Sequence, residues 1–505
     1  MLDLGTSFLA SVARDPDAIA IVDGPVRLTY SAWFRQVSAV VDGLRQLGLR
    51  KGDHLVGLLQ NRLDAATLHW ACQFAGVIMT PLNWRATADE VEYCLIDAEA
   101  RAVVYEDVSA ASVTASPRAS SLPRLDIGSQ SFVELRGANA PDALPQAAAS
   151  DWSLMLYTSG TTSRPKGVPR RHQAERAAAI AHVAQNLYRR GEATLGVMPL
   201  YHTMGVRSLL AMSLIGGKFV CLPRFDAKQA LDLIAAEQVS NLYLVPTLYH
   251  DLVHHPHFAA TDTSSVRKLG FAGASMTDGL LQKLQAAFAP GLFVNHYGSS
   301  EVYTVAINQD AVRKPGCAGR AGLNQMIRVI RLNSTDLNVL AAPNEEGEIA
   351  ALLAGDEAFE GYWRRPDVDA RALRDGWYLT GDTGYLDSGG DLFVTGRVDD
   401  MIITGGENVS PVEVESCLSL HKAVSQVAVV GLPDERWGKV VTAFIQRSAP
   451  VTEAELDVHC RGSGLANFKR PRRYVFVNEV PRSPVGKLLR RKLVEGDYAP
   501  ETQSP

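Results

Sequence analysis

The chain has 505 residues, 46% of them hydrophobic and 21% charged, a balance typical of soluble globular proteins and a length too great for one ordinary domain. A formal net charge of −5 gives no electrostatic basis for binding nucleic acid or an anionic membrane surface. No apolar run reaches the roughly eighteen residues that a helical membrane span needs.

Helix and strand signals alternate from the start, as expected of α/β architecture. Residues 31–47 carry apolar side chains at helical spacing, and Gly48 follows as a stop signal. The stretch 54–59 reads as a buried strand, followed by an amphipathic helix to about Gly76, and 102–105 reads as another strand. Residues 109–150 are rich in Ala, Ser and Pro with weak periodicity, which predicts surface structure or a connector. A short apolar strand at 154–156 leads into the segment 157–167, and further buried strands are expected at 218–222, 242–245 and 268–272. Segments 347–352 and 377–379 look like strands of a more antiparallel unit. Beyond the polar segment Arg397-Val398-Asp399-Asp400, suited to a hinge, a strand at 424–430, a helix at 452–460 and a strand at 474–477 describe a small α+β domain. No 20–50-residue repeat is present. The six cysteines, at 72, 94, 221, 317, 417 and 460, form no CxxC pair and suit a structural role in a reducing compartment. The N-terminal residues lack a basic-then-apolar secretion pattern, and the C-terminal ETQSP matches neither a peroxisomal nor a prenylation tail. A cytoplasmic protein is expected.

The richest chemistry lies in residues 157–167, YTSGTTSRPKG. Its Thr and Ser hydroxyls, its backbone N–H groups around Gly160 and the ammonium of Lys166 suit a polyphosphate. The segment is not the ordinary P-loop: no Gly precedes Lys166 and no Ser or Thr follows it. The competing reading is a plain Ser/Thr/Gly-rich surface loop. Four further motifs follow in order. His296-Tyr297-Gly298-Ser299-Ser300-Glu301 groups an aromatic, a tight turn, two hydroxyls and a carboxylate; a carboxylate near phosphates commonly helps hold Mg²⁺. Tyr378-Leu379-Thr380-Gly381-Asp382 ends a strand with an acid suited to a ribose diol, to which Arg397 adds donors. Gly405-Gly406-Glu407-Asn408 permits close backbone approach, and Pro484-Val485-Gly486-Lys487 presents a lysine on a loop. Each motif alone reads equally well as a turn or a surface ion pair.

In this order and combination, the motifs resemble those of the adenylate-forming superfamily of acyl-CoA synthetases, luciferases and peptide-synthetase adenylation domains, and the resemblance extends over residues 28–490. Residues 198–202 (MPLYH), 271–276 (FAGASM), 434–438 (DERWG) and 468–471 (FKRP) are most similar to the 4-chlorobenzoate–CoA ligase type of aromatic acid ligase. The resemblance implies an α/β fold: a large N-terminal domain (1–396) of doubly wound sheets plus a small barrel-like β unit, a hinge (397–401), and a small mobile α+β domain (402–505). It implies a two-step reaction with ATP, Mg²⁺ and coenzyme A. A carboxylate attacks the α-phosphate and releases pyrophosphate, and coenzyme A then displaces AMP from the acyl-adenylate.

By the same resemblance, Thr158, Ser159, Gly160, Thr161, Thr162 and Lys166 would grip the phosphates, and Thr162 and Glu301 would hold Mg²⁺. Tyr297 would stack near the adenine, Gly298, Ser299 and Ser300 would also bind the nucleotide, and Asp382 and Arg397 would bind the ribose. Lys487 would bridge the acid carboxylate and the α-phosphate as the catalytic residue, and Asp399 would be the hinge about which the C-terminal domain turns. Gly405, Gly406, Glu407 and Asn408 would then line the pantetheine path, with Arg85, Trp437, Phe468, Arg470 and Arg472 at the coenzyme A nucleotide. The competing reading of 470–473 is a solvated basic turn. The acid pocket would be formed by Ala181, His202, Thr203, Met204, Arg207, Ala272, Gly273 and His296, a more polar set than the apolar lining of related aromatic ligases. The implied partners are a small carboxylic acid and free coenzyme A, with no nucleic acid or membrane, for a monomer or homodimer.

Two departures from the family pattern matter. Ser163 stands where the phosphate loop usually has Gly, and Arg164 beside it adds charge. Arg207, one helical turn past Thr203, either pairs with a second substrate carboxylate or points outward, and the outward orientation is the expectation. The inward orientation would favour a short dicarboxylate of the malonate type; a module that loads a carrier protein is the other alternative. The cluster His250, His254, His255 and His257 fits no zinc spacing, and Pro256 interrupts it.

Overall fold

Three sheets organise the chain in the computed structural model, which describes residues 1–158, 164–397, 400–482 and 488–501. The first sheet reads from edge to edge Arg124–Asp126, Ala102–Tyr105, His54–Leu58, Ile78–Pro81, Trp152–Thr158 and Lys166–Arg171. It is parallel except at the last pair, where Lys166–Arg171 turns back with Lys166 opposite Thr158 and Gly167 opposite Tyr157. Its central strands are apolar runs buried along their whole length, as a sheet covered on both faces requires. Arg124–Asp126 is the edge strand, so the stretch expected to be surface structure or a connector also extends this sheet.

The second sheet has fourteen strands. Its parallel half runs Ile19–Asp23, Lys218–Cys221, Ala193–Gly196, Asn241–Leu244, Lys268–Phe271 and Leu292–Tyr297. Ala306–Asn308 then pairs antiparallel with Leu292–Tyr297 and passes the sheet on to Cys317–Ala321, Leu392–Arg397, Trp377–Leu386, Gly347–Leu352 and Ile327–Arg331. The antiparallel unit has its own core, including Val305, Val329, Ile349, Phe359, Tyr378 and Leu392.

Helices Leu4–Arg14, Tyr30–Gln46, Leu63–Ala75 and Thr203–Leu214 contribute to one core shared by the first two sheets. Phe8 lies at its centre, with ring centroids 4.5 Å from Trp70 and 5.3 Å from Trp33. Thr29 caps the second of these helices by accepting the N–H of Ala32, and Gly76 (φ 69°) ends the third. The expected amphipathic helix after residue 59 is in fact buried all round apart from Asp64: it runs between the sheets, and no face reaches water.

The third sheet, Glu407–Val409, Ile402–Thr404, Gly438–Arg447 and Val424–Asp434, with Arg473–Phe476 parallel to Gly438–Arg447, belongs to the last part of the chain. Helix Glu453–Gly462 packs on it, started by a reciprocal capping box between Thr452 and Glu455. This unit touches the rest through helix Pro411–Ser419: a Cβ at Gly279 would lie 2.5 Å from the Ser419 carbonyl oxygen. His250 Nε2 and Ser425 Oγ meet nearby at 3.4 Å.

One buried ion pair ties the first sheet to the second. Arg170 and Glu175 have fully buried side chains, and Arg170 Nε donates to Glu175 Oε1 at 2.8 Å. The guanidinium lies 4.1 Å from the Tyr303 ring centroid, and its Nη1 donates to the Glu301 carbonyl at 3.1 Å. Removing one member of a buried pair strands the other charge. Arg170→Met is therefore expected to lower stability by about 3–5 kcal/mol, and Arg170→Met/Glu175→Leu by distinctly less. Urea titrations followed by tryptophan fluorescence would show this; equal losses in the two variants would contradict it.

Candidate active site

The strand pair Trp152–Thr158 and Lys166–Arg171 holds the two ends of the phosphate-type loop. Thr158 and Lys166 face each other across the pair, half-buried. Ser159, Gly160, Thr161, Thr162 and Ser163 lie outside the described residues. The loop stem is anchored on the neighbouring helix Ala88–Asp97: the Tyr157 hydroxyl donates to Asp97 Oδ2 at 2.6 Å, and that of Tyr93 to the Pro165 carbonyl at 3.0 Å. Arg164 does not extend freely from the loop; its guanidinium carbon sits 5.1 Å from the Tyr93 ring centroid.

From Lys166 a line of contacts reaches the second sheet. The Lys166 ammonium lies 4.6 Å from the centroid of Tyr362, whose hydroxyl donates to Glu301 Oε1 at 2.7 Å. Glu301 is buried, and its carbonyl accepts both Arg170 Nη1 and the N–H of Phe359. A cation, an aromatic face and an oriented carboxylate thus stand in sequence. The hard oxygen donors of Glu301 fit a divalent ion whose other ligands are phosphate oxygens. The tight turn before Glu301 leaves no room at Gly298, where a Cβ would come within 2.1 Å of the Tyr303 carbonyl oxygen. Ser299 closes the turn by accepting the Glu301 N–H at 3.2 Å, and Ser300 is buried beside it.

At the other end of that turn, Tyr297, Asp382 and Arg397 form a clamp. The Tyr297 hydroxyl donates to Asp382 Oδ2 at 2.6 Å, and Arg397 Nη1 donates to Oδ1 at 2.8 Å. Asp382 and Arg397 face each other across an antiparallel pair. Gly381 (φ 70°) lets the strand bend there, and a Cβ at that position would sit 3.0 Å from Arg397 Nη2. Burial pushes the Tyr297 phenol well above its ordinary range and the Asp382 charge pushes it further, so it remains a donor. The Arg397 side chain is about half exposed (49%), available to a ligand at the rim.

The residues expected to line the acid pocket come from four elements. His202 caps helix Thr203–Leu214, its Nδ1 accepting the Met204 N–H at 3.3 Å. A Cβ at Gly273 (φ 80°) would lie 3.8 Å from Met204 Sδ, so the segment carrying Ala272 and Gly273 abuts Met204. Thr203, Met204, Ala272 and Ala181 are buried. His296 is buried too: its Nε2 meets Asn186 Oδ1 at 3.2 Å, while Asn186 Nδ2 meets His182 Nδ1 at 3.0 Å. Burial holds both imidazoles well below the ordinary histidine range. With both neutral, one proton assignment satisfies the chain, leaving His296 Nδ1 an acceptor and His182 Nε2 a donor. Neither atom has a hydrogen-bond partner among the described residues.

Arg207 overturns the outward expectation. It is 2% exposed, its Nη1 donates to the Tyr243 hydroxyl at 3.4 Å, and its Nη2 lies 3.7 Å from Glu357 Oε2. Helix Thr203–Leu214 is buried along almost its whole length, so it has no solvent face on which to place an arginine. Glu357 is a residue that sequence reasoning missed, as are His182, Asn186, Arg170 and Tyr362. A Gly-Tyr-Trp run before Pro366 was an available signal for Tyr362; nothing local marks Glu357.

In the C-terminal unit, Gly405 (φ 59°) and Gly406 (φ 88°) form the two-residue turn between Ile402–Thr404 and Glu407–Val409, a turn that requires two left-handed residues. Trp437 packs beneath it, with Cε3 2.8 Å from a Cβ placed at Gly405, and Arg472 and Arg436 lie 4.4 and 4.9 Å from its ring centroid. Glu407 and Phe468 are exposed, and the backbone of Asn408 pairs with that of Ile403. Arg470 is turned into the domain, ion-paired with Asp457 and donating to Asn467 Oδ1 at 2.7 Å, so its charge is already matched. Arg85 lies exposed, 3.6 Å over the Trp84 ring. Asp399 and Lys487 fall outside the described residues. Of the histidine cluster, His254 meets Lys283 Nζ at 2.6 Å and His257 meets Asp232 Oδ1 at 3.4 Å. Among the described residues no group of three or more His, Cys, Asp or Glu side chains is placed to hold a metal ion.

Comparison with known proteins accords with this arrangement. Residues 8–363 match the AMP-binding enzyme family and residues 413–487 the AMP-binding enzyme C-terminal domain. The chain is 35% identical over 504 residues to a 4-chlorobenzoate–CoA ligase from an Arthrobacter species, covering 98% of this chain and 96% of the relative. It is 32% identical to a long-chain-fatty-acid–CoA ligase of Mycobacterium tuberculosis, covering 93% of each. ATP-bound MatB from Rhodopseudomonas palustris superposes with a TM-score of 0.88 at 28% identity, covering 98% of this chain and 99% of that structure.

Proposed function

The chain belongs to the AMP-binding enzyme family as an AMP-forming acid–CoA ligase, and on that premise we propose that it activates an aromatic, benzoate-like carboxylic acid. The observation that carries the reading is the meeting of two devices at one turn. The line Lys166–Tyr362–Glu301 and the clamp Tyr297–Asp382–Arg397 start from its two ends. The first suits the phosphates of ATP and the second its ribose.

In the first step, the transition state gathers negative charge on phosphoryl oxygens, so fixed donors and cations are the main requirement. Lys166 and the 158–162 loop hold the β- and γ-phosphates, and Lys487 holds the acid carboxylate against the α-phosphate. Glu301 and Thr162 would hold Mg²⁺, which would supply neutralising charge to the phosphates. Asp382 accepts from the ribose hydroxyls, with Arg397 donating beside it, and Tyr297 borders the adenine. In the second step, rotation about Asp399 withdraws Lys487 and brings residues 405–408 to the site to line the path of the thiol. Trp437, with arginines over its ring, supports free coenzyme A as the acceptor over a carrier protein, because only the free cofactor has a nucleotide for an aromatic and a guanidinium to hold.

The aromatic substrate is supported by the 4-chlorobenzoate–CoA ligase relative and by the close approach of Gly273 to Met204 beside the expected acid pocket. A pyrophosphate-release screen over benzoates, phenylacetates, cinnamates, fatty acids and dicarboxylates is expected to give the highest kcat/KM with a benzoate, saturable by free coenzyme A; a fatty acid or an aliphatic dicarboxylate in first place would overturn that assignment. Lys487→Ala should reduce adenylation by orders of magnitude while thioester formation from supplied acyl-adenylate survives. Equal loss of both half-reactions would refute this division of labour. Asp399→Pro should do the reverse, sparing adenylation and impairing thioester formation, and normal overall turnover would remove the hinge assignment.

A further inference from the structure

Beneath the acid pocket lies a set of buried polar atoms that the two-step chemistry does not use. Arg207 and Glu357 are 2% and 3% exposed. Their closest approach, 3.7 Å, is an ion pair without a hydrogen bond. Among the described residues, Arg207 Nε and Nη2, His182 Nε2 and His296 Nδ1 are buried without a hydrogen-bond partner, and Thr304 stands against the Glu357 carboxylate. Burial pushes the Glu357 carboxyl upward, and Arg207 and Thr304 oppose it. A buried polar atom left unmatched costs about 1–3 kcal/mol, so this many in one place mark a surface that something else completes.

The cluster adjoins residues already assigned to the acid. Arg207 is one turn along the helix that Thr203 and Met204 begin, and Tyr243, which accepts from Arg207, packs 5.1 Å from the His296 ring. Glu357 also lines a groove of about 490 Å³ together with Ala174, Arg176, Ala181, Asp356 and Glu360, a volume in the range of small-ligand sites, while Arg207, Tyr243 and His296 stand outside its lining. Charge then decides what fits. The Arg207 cation is balanced by Glu357, and His182 and His296 are neutral. A second carboxylate on the substrate would leave one negative charge uncompensated in a buried site. A group that is neutral, and both donor and acceptor, can accept from Arg207 and donate to Glu357 at once.

We infer that the Arg207–Glu357 pair recognises a hydroxyl or primary amino substituent on the acid substrate and disfavours a second carboxylate. The inference rests on the ligase reading above and selects within it: the acid is a hydroxylated or amino-substituted aromatic acid. Arg207, although it faces inward, is not a carboxylate receptor, because its counter-ion is built in.

The test compares kcat/KM for benzoate, the three hydroxybenzoates, the three aminobenzoates and the three benzenedicarboxylates, by AMP release coupled to thioester formation. In the wild-type enzyme at least one hydroxy- or aminobenzoate should exceed benzoate tenfold or more, and every dicarboxylate should fall below benzoate. Glu357→Gln leaves the Arg207 charge uncompensated, so the dicarboxylate-to-hydroxybenzoate ratio should rise at least tenfold, a change that a structural role would not produce. In Arg207→Met/Glu357→Leu, which removes both charges together and protects the fold if the single variant fails, the hydroxybenzoate-to-benzoate ratio should approach one. Benzoate or a dicarboxylate as the best wild-type substrate, or substrate ratios unmoved by both variants, overturns the inference and leaves the ligase reading standing. If no acid in this panel or the wider screen supports AMP release and thioester formation, the ligase reading falls and takes this inference with it.

Discussion

Arg170 is the point on which the site hangs. It lies on the strand that carries Lys166, it is neutralised by Glu175 on the following helix, and it reaches across to the carbonyl of Glu301 in the second sheet. Tyr303 closes the remaining side with its ring. A fully buried guanidinium is tolerable only when its charge is met from fixed directions; Glu175, the Glu301 carbonyl and the Tyr303 ring meet it here, with Nη2 the one nitrogen lacking a hydrogen bond among the described residues. Glu301 then inherits its place from the backbone, through Arg170 and Phe359, before its side chain makes any contact of its own. The carboxylate is therefore positioned by main-chain geometry, and Tyr362 only sets its direction.

This arrangement explains why distant segments converge. The stretches around 166–175, 297–303 and 357–363 meet at Arg170, Glu301, Phe359 and Tyr362, and the antiparallel half of the second sheet delivers Asp382 and Arg397 in register to the same turn. The C-terminal unit has separate cores formed by its own residues and touches the rest along helix Pro411–Ser419. The close approach of Gly279 to Ser419, with the His250–Ser425 and Ser410–Thr395 contacts, joins it to the rest of the chain.

Much of this was legible in the sequence, for physical reasons that also mark the limit. Strands such as 54–58, 102–105 and 347–352 are apolar runs bounded by breakers, and a local signal suffices for them. The motifs at 157–167, 296–301 and 378–382 carry their chemistry in consecutive residues. Arg207 was misread as outward because an arginine on a helix usually lies on a wet face; the rule fails where the helix has none. Glu357 could not be inferred, because its meaning comes from a residue 150 positions earlier in the chain (357 − 207). The amphipathic expectation for 63–75 failed for a similar reason. His69 and Gln73 read as polar, but Gln73 bonds the carbonyl of Ser153 and accepts from its hydroxyl at 2.6 Å, so polarity on that helix signals a tertiary partner and not exposure.

The Arg207–Glu357 pair also constrains how this enzyme can change over evolutionary time. Losing either charge alone leaves the other unmatched in the interior, a penalty comparable to a large share of a protein's net stability. Substitutions at the two positions are thus expected to be non-additive, the double change costing less stability than the sum of the single ones. Where the pair is present, stability itself resists its loss one charge at a time.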